Sequence, residues 1–307
     1  MEQRSFIQYF IVSLKGMAMG AADVVPGVSG GTIAFISGIY EELLSSISSI
    51  NFGLLQTLKK EGFKAVWRKV NGNFLLALLI GIFISVASLA RIISWLLQHK
   101  PILVWSFFFG LVLASIIYVG KQISKWNTIT MIVLLFGVLL AYYITTLQPL
   151  ISENSSPLFM FLAGALAICA MILPGISGAF ILVLLGAYKP VLEAIHNRDF
   201  KIIAILAAGA IVGLLTFSKI LKWLFSNFRN YTLAVLTGFI FGSLNKIWPW
   251  KRILETKLIE GKTIVLEEES VLPFAFEGEP QIVSAIVLAI IGFAVIIILE
   301  KLATKFD

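Results

Sequence analysis

The sequence predicts an all-α polytopic membrane protein made of two inverted-topology repeats, each a re-entrant broken helical hairpin followed by three transmembrane helices. Three observations carry this. Of 307 residues, 59% are hydrophobic and 13% charged, against about 25% charged in soluble domains. So few charges cannot cover a water-facing surface of this size, which excludes a cytosolic enzyme, a nucleic-acid binder and a disordered chain. Six apolar stretches, at 74–97, 102–119, 128–147, 202–217, 232–248 and 282–299, read as spans, since a crossing helix needs about 20 apolar residues. Two further stretches, about 7–50 and 158–195, are apolar but interrupted by Pro-Gly.

The third observation is an internal duplication. Asp23-Val-Val-Pro26-Gly27-Val-Ser29-Gly30-Gly31 precedes Met171-Ile-Leu-Pro174-Gly175-Ile-Ser177-Gly178-Ala179 by 148 residues, and Gly38, Tyr40 and Leu44 match Gly186, Tyr188 and Leu192 at the same offset. Further along the offset is 128, pairing Gly81 with Gly209, Arg91 with Lys219, Trp95 with Trp223, Gly110 with Gly238 and Ser115 with Ser243. The repeats are therefore 1–150 and 151–307. If each broken segment enters the membrane and turns back at Pro-Gly, each repeat makes three crossings. An odd number inserts the second copy upside down, the pattern of transporters whose interrupted helices meet near the midplane.

Loop charge tests the topology. With both termini cytoplasmic, 14 of the 24 basic residues fall on inner segments, a modest positive-inside bias. The long outer loop 249–280 is mixed in charge, and its Thr263-Ile-Val-Leu266 stretch suggests a small β-hairpin. One cysteine, Cys169, and two well-separated histidines, His99 and His196, leave no disulfide and no metal cluster. No nucleotide-binding, zinc-protease or Cys-x-x-Cys motif occurs, so no cofactor is expected. The net charge of +7 fits lipid-facing loops and an anionic substrate rather than nucleic acid.

The chemistry concentrates in the breaks. Pro26 and Pro174 cannot continue a helix, and Gly27 and Gly175 permit a sharp reversal. Such irregular backbone is tolerated in a membrane only when buried in protein or facing water. The following half-helices start at Ser29-Gly30-Gly31 and Ser177-Gly178, where unpaired amides and the positive dipole end suit an anion. The competing reading is a simple kink with each serine as a cap. Asp23 is an acid deep in an apolar segment, available for proton or ion coupling, or for capping the break. Arg91 either snorkels to the interface or meets the substrate; Lys219, Lys15 and Lys189 are further cationic candidates. Glu41 and Glu42 read as solvated residues at a segment end. The tryptophans read as interfacial belt residues.

The motif Gly20-Ala-Ala-Asp23-Val-Val-Pro26-Gly27-Val-Ser29-Gly30-Gly31-Thr32, its partner Leu173-Pro174-Gly175-Ile-Ser177-Gly178 and the Gly38-Ile-Tyr40-Glu41-Glu42-Leu43 continuation resemble those of the polyprenyl-phosphate transporter family. The resemblance spans essentially the whole chain. It implies a multi-pass protein of the bacterial cytoplasmic membrane that returns undecaprenyl phosphate from the outer to the inner leaflet for envelope synthesis. A homodimer is compatible with it. The residues alone reach only an inverted-repeat transporter for an anion. They leave open an ion-coupled carrier of a soluble anion and, less favoured, a membrane lipid phosphatase, for which neither histidine sits in a break.

Overall fold

The computed structural model describes residues 4–25, 28–150, 156–259 and 262–306. The first half comprises α1 (Phe6–Val24), α2 (Gly30–Ile36), α3 (Tyr40–Ser48), α4 (Gly53–Glu61), α5 (Phe63–Lys69), α6 (Gly72–His99), α7 (Pro101–Lys121) and α8 (Thr128–Thr146). The second comprises α9 (Pro157–Ile172), α10 (Gly178–Leu184), α11 (Tyr188–His196), α12 (Phe200–Gly242), a 3-10 turn (Ser243–Ile247), strands β1 (Lys251–Ile259) and β2 (Lys262–Ser270), and α13 (Ile282–Phe306). Local chemistry sets many boundaries. Ser5 and Gln8 form a capping box at α1, Asn127 caps α8 and Asp199 caps α12, each satisfying amides that a helix start leaves open. Gly38 (φ 74°) and Gly186 (φ 71°) turn α2 into α3 and α10 into α11 in the left-handed conformation that a side chain disfavours.

Among the described residues, four helices are long and apolar enough to cross a membrane, or five if the pair α10–α11, bent by 106°, counts as one span. Large apolar side chains stay on the outside, including Phe83 (74% exposed), Phe136 (59%) and Val283 (77%), as expected of helices facing lipid. The spans expected at 74–97, 102–119 and 128–147 are α6, α7 and α8. The expected span at 282–299 lies in α13, whose apolar stretch is Ile282–Ile298.

Helix α12 joins the stretches 202–217 and 232–248 as two helical parts that meet at a kink and continues into the 3-10 turn, so the division expected between them is a corner rather than an open loop. Its one non-helical residue is Phe228 (φ −135°, ψ 43°), nearly the conformation of Lys100 (φ −138°, ψ 49°) at the α6–α7 corner 128 residues earlier. Arg229 keeps the N–H that Pro101 lacks, so helical bonding bridges the second corner. The protein is also not purely α-helical. Strands β1 and β2 pair antiparallel from Lys251↔Ser270 to Ile259↔Lys262, within the loop where a hairpin was expected.

The helices pack in matched pairs: α1 on α6, α9 on α12, α7 on α13 and α8 on α12. Every pair crosses at two glycines, each lying over the carbonyl three residues before its partner. Gly16 meets Leu78 and Gly81 meets Ser13; Gly164 meets Leu206 and Gly209 meets Phe161; Gly110 meets Ala289 and Gly292 meets Phe107; Gly137 meets Val235 and Gly238 meets Leu134. A Cβ at any of them would collide with backbone, so glycine is what permits this approach. One turn further, Gly20 meets Ile82, Gly213 meets Ala165 and Gly242 meets Val138. The contacts climb both helices together, so α1 runs parallel to α6, α9 to the first part of α12, and α8 to its last part. The chain that follows α1 therefore comes back to the end where α1 begins before it enters α6, and the chain that follows α9 does the same before α12.

Candidate functional site

The two broken segments meet. Helix α2 is buried along its whole length, among α1, α7 and α9. Ser29 is its N-cap, accepting the Gly31 amide at 3.1 Å, and its hydroxyl reaches the Met171 and Leu173 carbonyls at 3.0 and 3.2 Å. These carbonyls belong to the C-terminal end of α9, where helical acceptors lack helical partners. In return, the Gly175 amide donates to Thr32 Oγ1 at 3.0 Å. Gly175 (φ 88°) makes the second turn and lies against the Phe239 carbonyl of α12. Gly31 lies against the Ile172 carbonyl with no room for a side chain. Pro26 and Gly27 lie outside the described residues. Pro174 and Gly175 form the turn expected of them.

The expected anion position at the first turn is already taken by an acidic side chain. Asp23, the next-to-last residue of α1, accepts the Gly30 amide on Oδ1 at 2.7 Å. Its position in the second repeat is Met171, whose Cβ would lie 3.2 Å from a Cβ on Gly178. Ser177, the N-cap of α10, accepts no α10 amide. Among the described residues, a carboxylate thus occupies the first turn and none is seen at the second. Burial differs in the same sense: all seven residues of α2 are buried, but only Gly178 of α10.

Other expected residues lie apart from this meeting point. Arg91 and Lys219 are exposed, on α6 and α12. Lys15 donates to the Ser37 carbonyl at 2.6 Å, tying α1 to the end of α2, and Lys189 pairs with Glu193 at 3.6 Å. Among the described residues, no group of three His, Cys, Asp or Glu side chains could hold a metal.

Some residues gain roles that spacing did not reveal. Glu41 pairs with Arg229 of α12 at 2.7 Å, and Glu42 holds Arg4 in a two-pronged bond at 2.6 and 2.7 Å. Phe35, Tyr40 and Phe225 stack behind them, with centroids 5.0 to 6.3 Å apart. The Tyr40 hydroxyl is buried without a partner among the described residues. A cleft of about 460 Å³ beside this seam is lined by Glu41, Glu42, Ser45, Lys222, Ser226 and Arg229. The doubled glutamate after Tyr40 was the available signal, but its partners lie up to 188 residues away. Thr32 offered no such signal. Thr32→Val is expected to strand the buried Gly175 amide and cost about 1–3 kcal/mol, read as a lower unfolding midpoint in detergent.

Interrupted helices apposed at the centre of a multi-pass membrane protein define its class. Residues 19–265 match the family described as VCA0040-like, undecaprenyl phosphate translocase-like, and the chain belongs to that family. It is 48% identical over 304 residues to the polyprenyl-phosphate transporter of Vibrio cholerae serotype O1, covering 97% of this chain and 98% of the relative. It is 32% identical over 253 residues to the polyprenyl-phosphate transporter of Staphylococcus aureus, covering 77% and 85%. No solved structure matches the chain.

Proposed function

We propose that this protein flips polyprenyl phosphate, specifically undecaprenyl phosphate, from the outer to the inner leaflet of the bacterial cytoplasmic membrane, recycling the carrier lipid for envelope synthesis without covalent chemistry. The names of both relatives support the substrate. The carrying observation is the apposition of the two turns around Ser29, Thr32 and Gly175, with the Asp23 carboxylate seated on the Gly30 amide. A charged headgroup is costly to move through hydrocarbon. Amides at the turns would replace its water midway, while the tail stays in lipid. The contact residues are Ser29, Gly30, Gly31, Ser177 and Gly178, with Arg91 as charge partner and Asp23 as the group that couples release to a proton or ion.

Two inverted repeats, 1–150 and 151–307, fit this scheme. If the second half is inverted, α8 and the last part of α12 run the same way, which agrees with their glycine contacts. The Glu41–Arg229 pair and its aromatic backing then close one end of the path. The half-buried α10 leaves the other more accessible.

The test is flipping of labelled polyprenyl phosphate in proteoliposomes. Ser29→Ala with Ser177→Ala is expected to weaken phosphate binding about 10-fold, and Arg91→Ala to abolish flipping. Wild-type rates in both would reject the site. Transport of a soluble anion with no lipid movement would reject the substrate.

A further inference from the structure

We infer that Lys246 and Lys251 form a landing site for the phosphomonoester headgroup of a lipid beside the second broken helix, with Glu268 as a built-in competitor that the headgroup displaces. The inference rests on the transport reading above and adds the place where the substrate is first held. Lys246 lies in the 3-10 turn after α12, Lys251 opens β1 and Glu268 lies on β2. Both ammonium groups converge on one oxygen, Glu268 Oε1, at 2.8 and 2.6 Å. Lys251 also donates to the Lys246 carbonyl at 2.6 Å. Two cations on one carboxylate leave a surplus positive charge. Anchoring the hairpin would need one lysine; two on one oxygen suit a guest with more negative charge than a carboxylate. A phosphomonoester carries about −1.5 to −2 near neutrality and three acceptor oxygens.

The surroundings fit a lipid headgroup. Lys246 stands 4.8 Å over the Phe180 ring, two residues beyond Gly178 in α10, and Lys251 stands 5.6 Å over Trp105. Trp248 and Trp250 pack together at 5.4 Å, and their indole N–H groups are fixed by the Val271 and Pro280 carbonyls at 2.8 Å. Clustered tryptophans mark the headgroup level of a bilayer. The cluster is only part-open, with side-chain exposures of 22% for Lys246, 11% for Lys251 and 23% for Glu268. Burial pushes the Lys251 ammonium below its usual range, while Glu268 works to keep it charged. Burial would raise Glu268, yet Lys251 and Lys246 hold it below the usual carboxylate range. A phosphate in place of that carboxylate would sustain both lysines in the same way. The half-buried face of α10 then leads from Phe180 to Gly178 and the paired turns.

The test is binding of polyprenyl phosphate, with polyprenol of the same tail as control, to the full chain in lipid nanodiscs. Lys246→Gln and Lys251→Gln are each expected to weaken phosphate-lipid binding about 10-fold, and the arginine variants to restore it. Glu268→Gln is expected to tighten it about 3-fold or more, because the competitor loses its charge. A purely structural cluster predicts the opposite sign, with Glu268→Gln weakening binding as the lysine variants do. That result, or affinity unchanged in all three, overturns the landing site. Inorganic phosphate that follows the same variant pattern while lipid binding does not would assign the lysines to a free anion and also overturn it. Wild-type protein that does not prefer phosphate lipid over polyprenol overturns the transport reading itself, and the landing site with it.

Discussion

Asp23→Asn is expected to bind polyprenyl phosphate at least as tightly as the wild type and to flip it about 100-fold more slowly. The carboxylate sits on the Gly30 amide at 2.7 Å, where a headgroup oxygen would be received. Binding the headgroup must displace it, and two like charges then lie close together in an apolar site. At about 4 Å and an effective dielectric constant near 20, that repulsion is worth about 4 kcal/mol. It opposes binding and drives release. Asparagine keeps an acceptor for Gly30 but removes the charge, so the bound state deepens and release slows. Asp23→Ala is expected to slow turnover as much and also to lower the unfolding midpoint, because the Gly30 amide loses its partner. Parallel measurements of affinity in nanodiscs and flipping in proteoliposomes separate the two effects. Wild-type turnover in Asp23→Asn would remove Asp23 from the mechanism.

Gly31→Val should have the second large effect. A side chain there would strike the Ile172 carbonyl and lie about 3.0 Å from that of Met171, the latter being one of the two carbonyls that bond Ser29. Overpacking usually costs about 1–3 kcal/mol, but here the obstacle is backbone on a neighbouring helix and cannot turn aside. The turns must separate, which breaks the Ser29 bonds and the Thr32–Gly175 bond. Transport should fall to background and the unfolding midpoint should drop. Gly120→Ala, where nothing lies within 4 Å of an added Cβ, is the control expected to keep both at wild-type values. Retained transport in Gly31→Val would show that contact between the turns is not required.

Spans and breaks could be read from the sequence because each leaves a local mark. Apolar runs gave α6, α7 and α8, and Pro-Gly followed by Ser-Gly gave the starts of α2 and α10. The residues paired at an offset of 128 were legible, but the corner at Phe228, opposite Lys100, shows only in the backbone angles. What stayed hidden depends on contacts between distant segments. The spacing marked Gly30 as an anion-receiving amide and left Asp23 between ion coupling and capping the break; that its carboxylate takes the Gly30 amide, seven residues on, comes from the structure. Ser29 was legible as a cap and a donor to an anion. It does cap α2, and its hydroxyl also donates to carbonyls more than 140 residues away, which the sequence did not mark. Glu41 and Glu42 resembled solvated residues, since a single strand of sequence does not display Arg229 or Arg4 beside them.

The resting place of the headgroup during transport is the decisive observable. A structure of the protein in nanodiscs with polyprenyl phosphate bound would locate the phosphorus atom. The expected result is phosphate between the start of α10 at Gly178 and the Gly30–Gly31 turn, with Asp23 turned away from Gly30. A headgroup bound elsewhere on the transport path, with the Asp23–Gly30 bond intact and no phosphate at either turn, would contradict it.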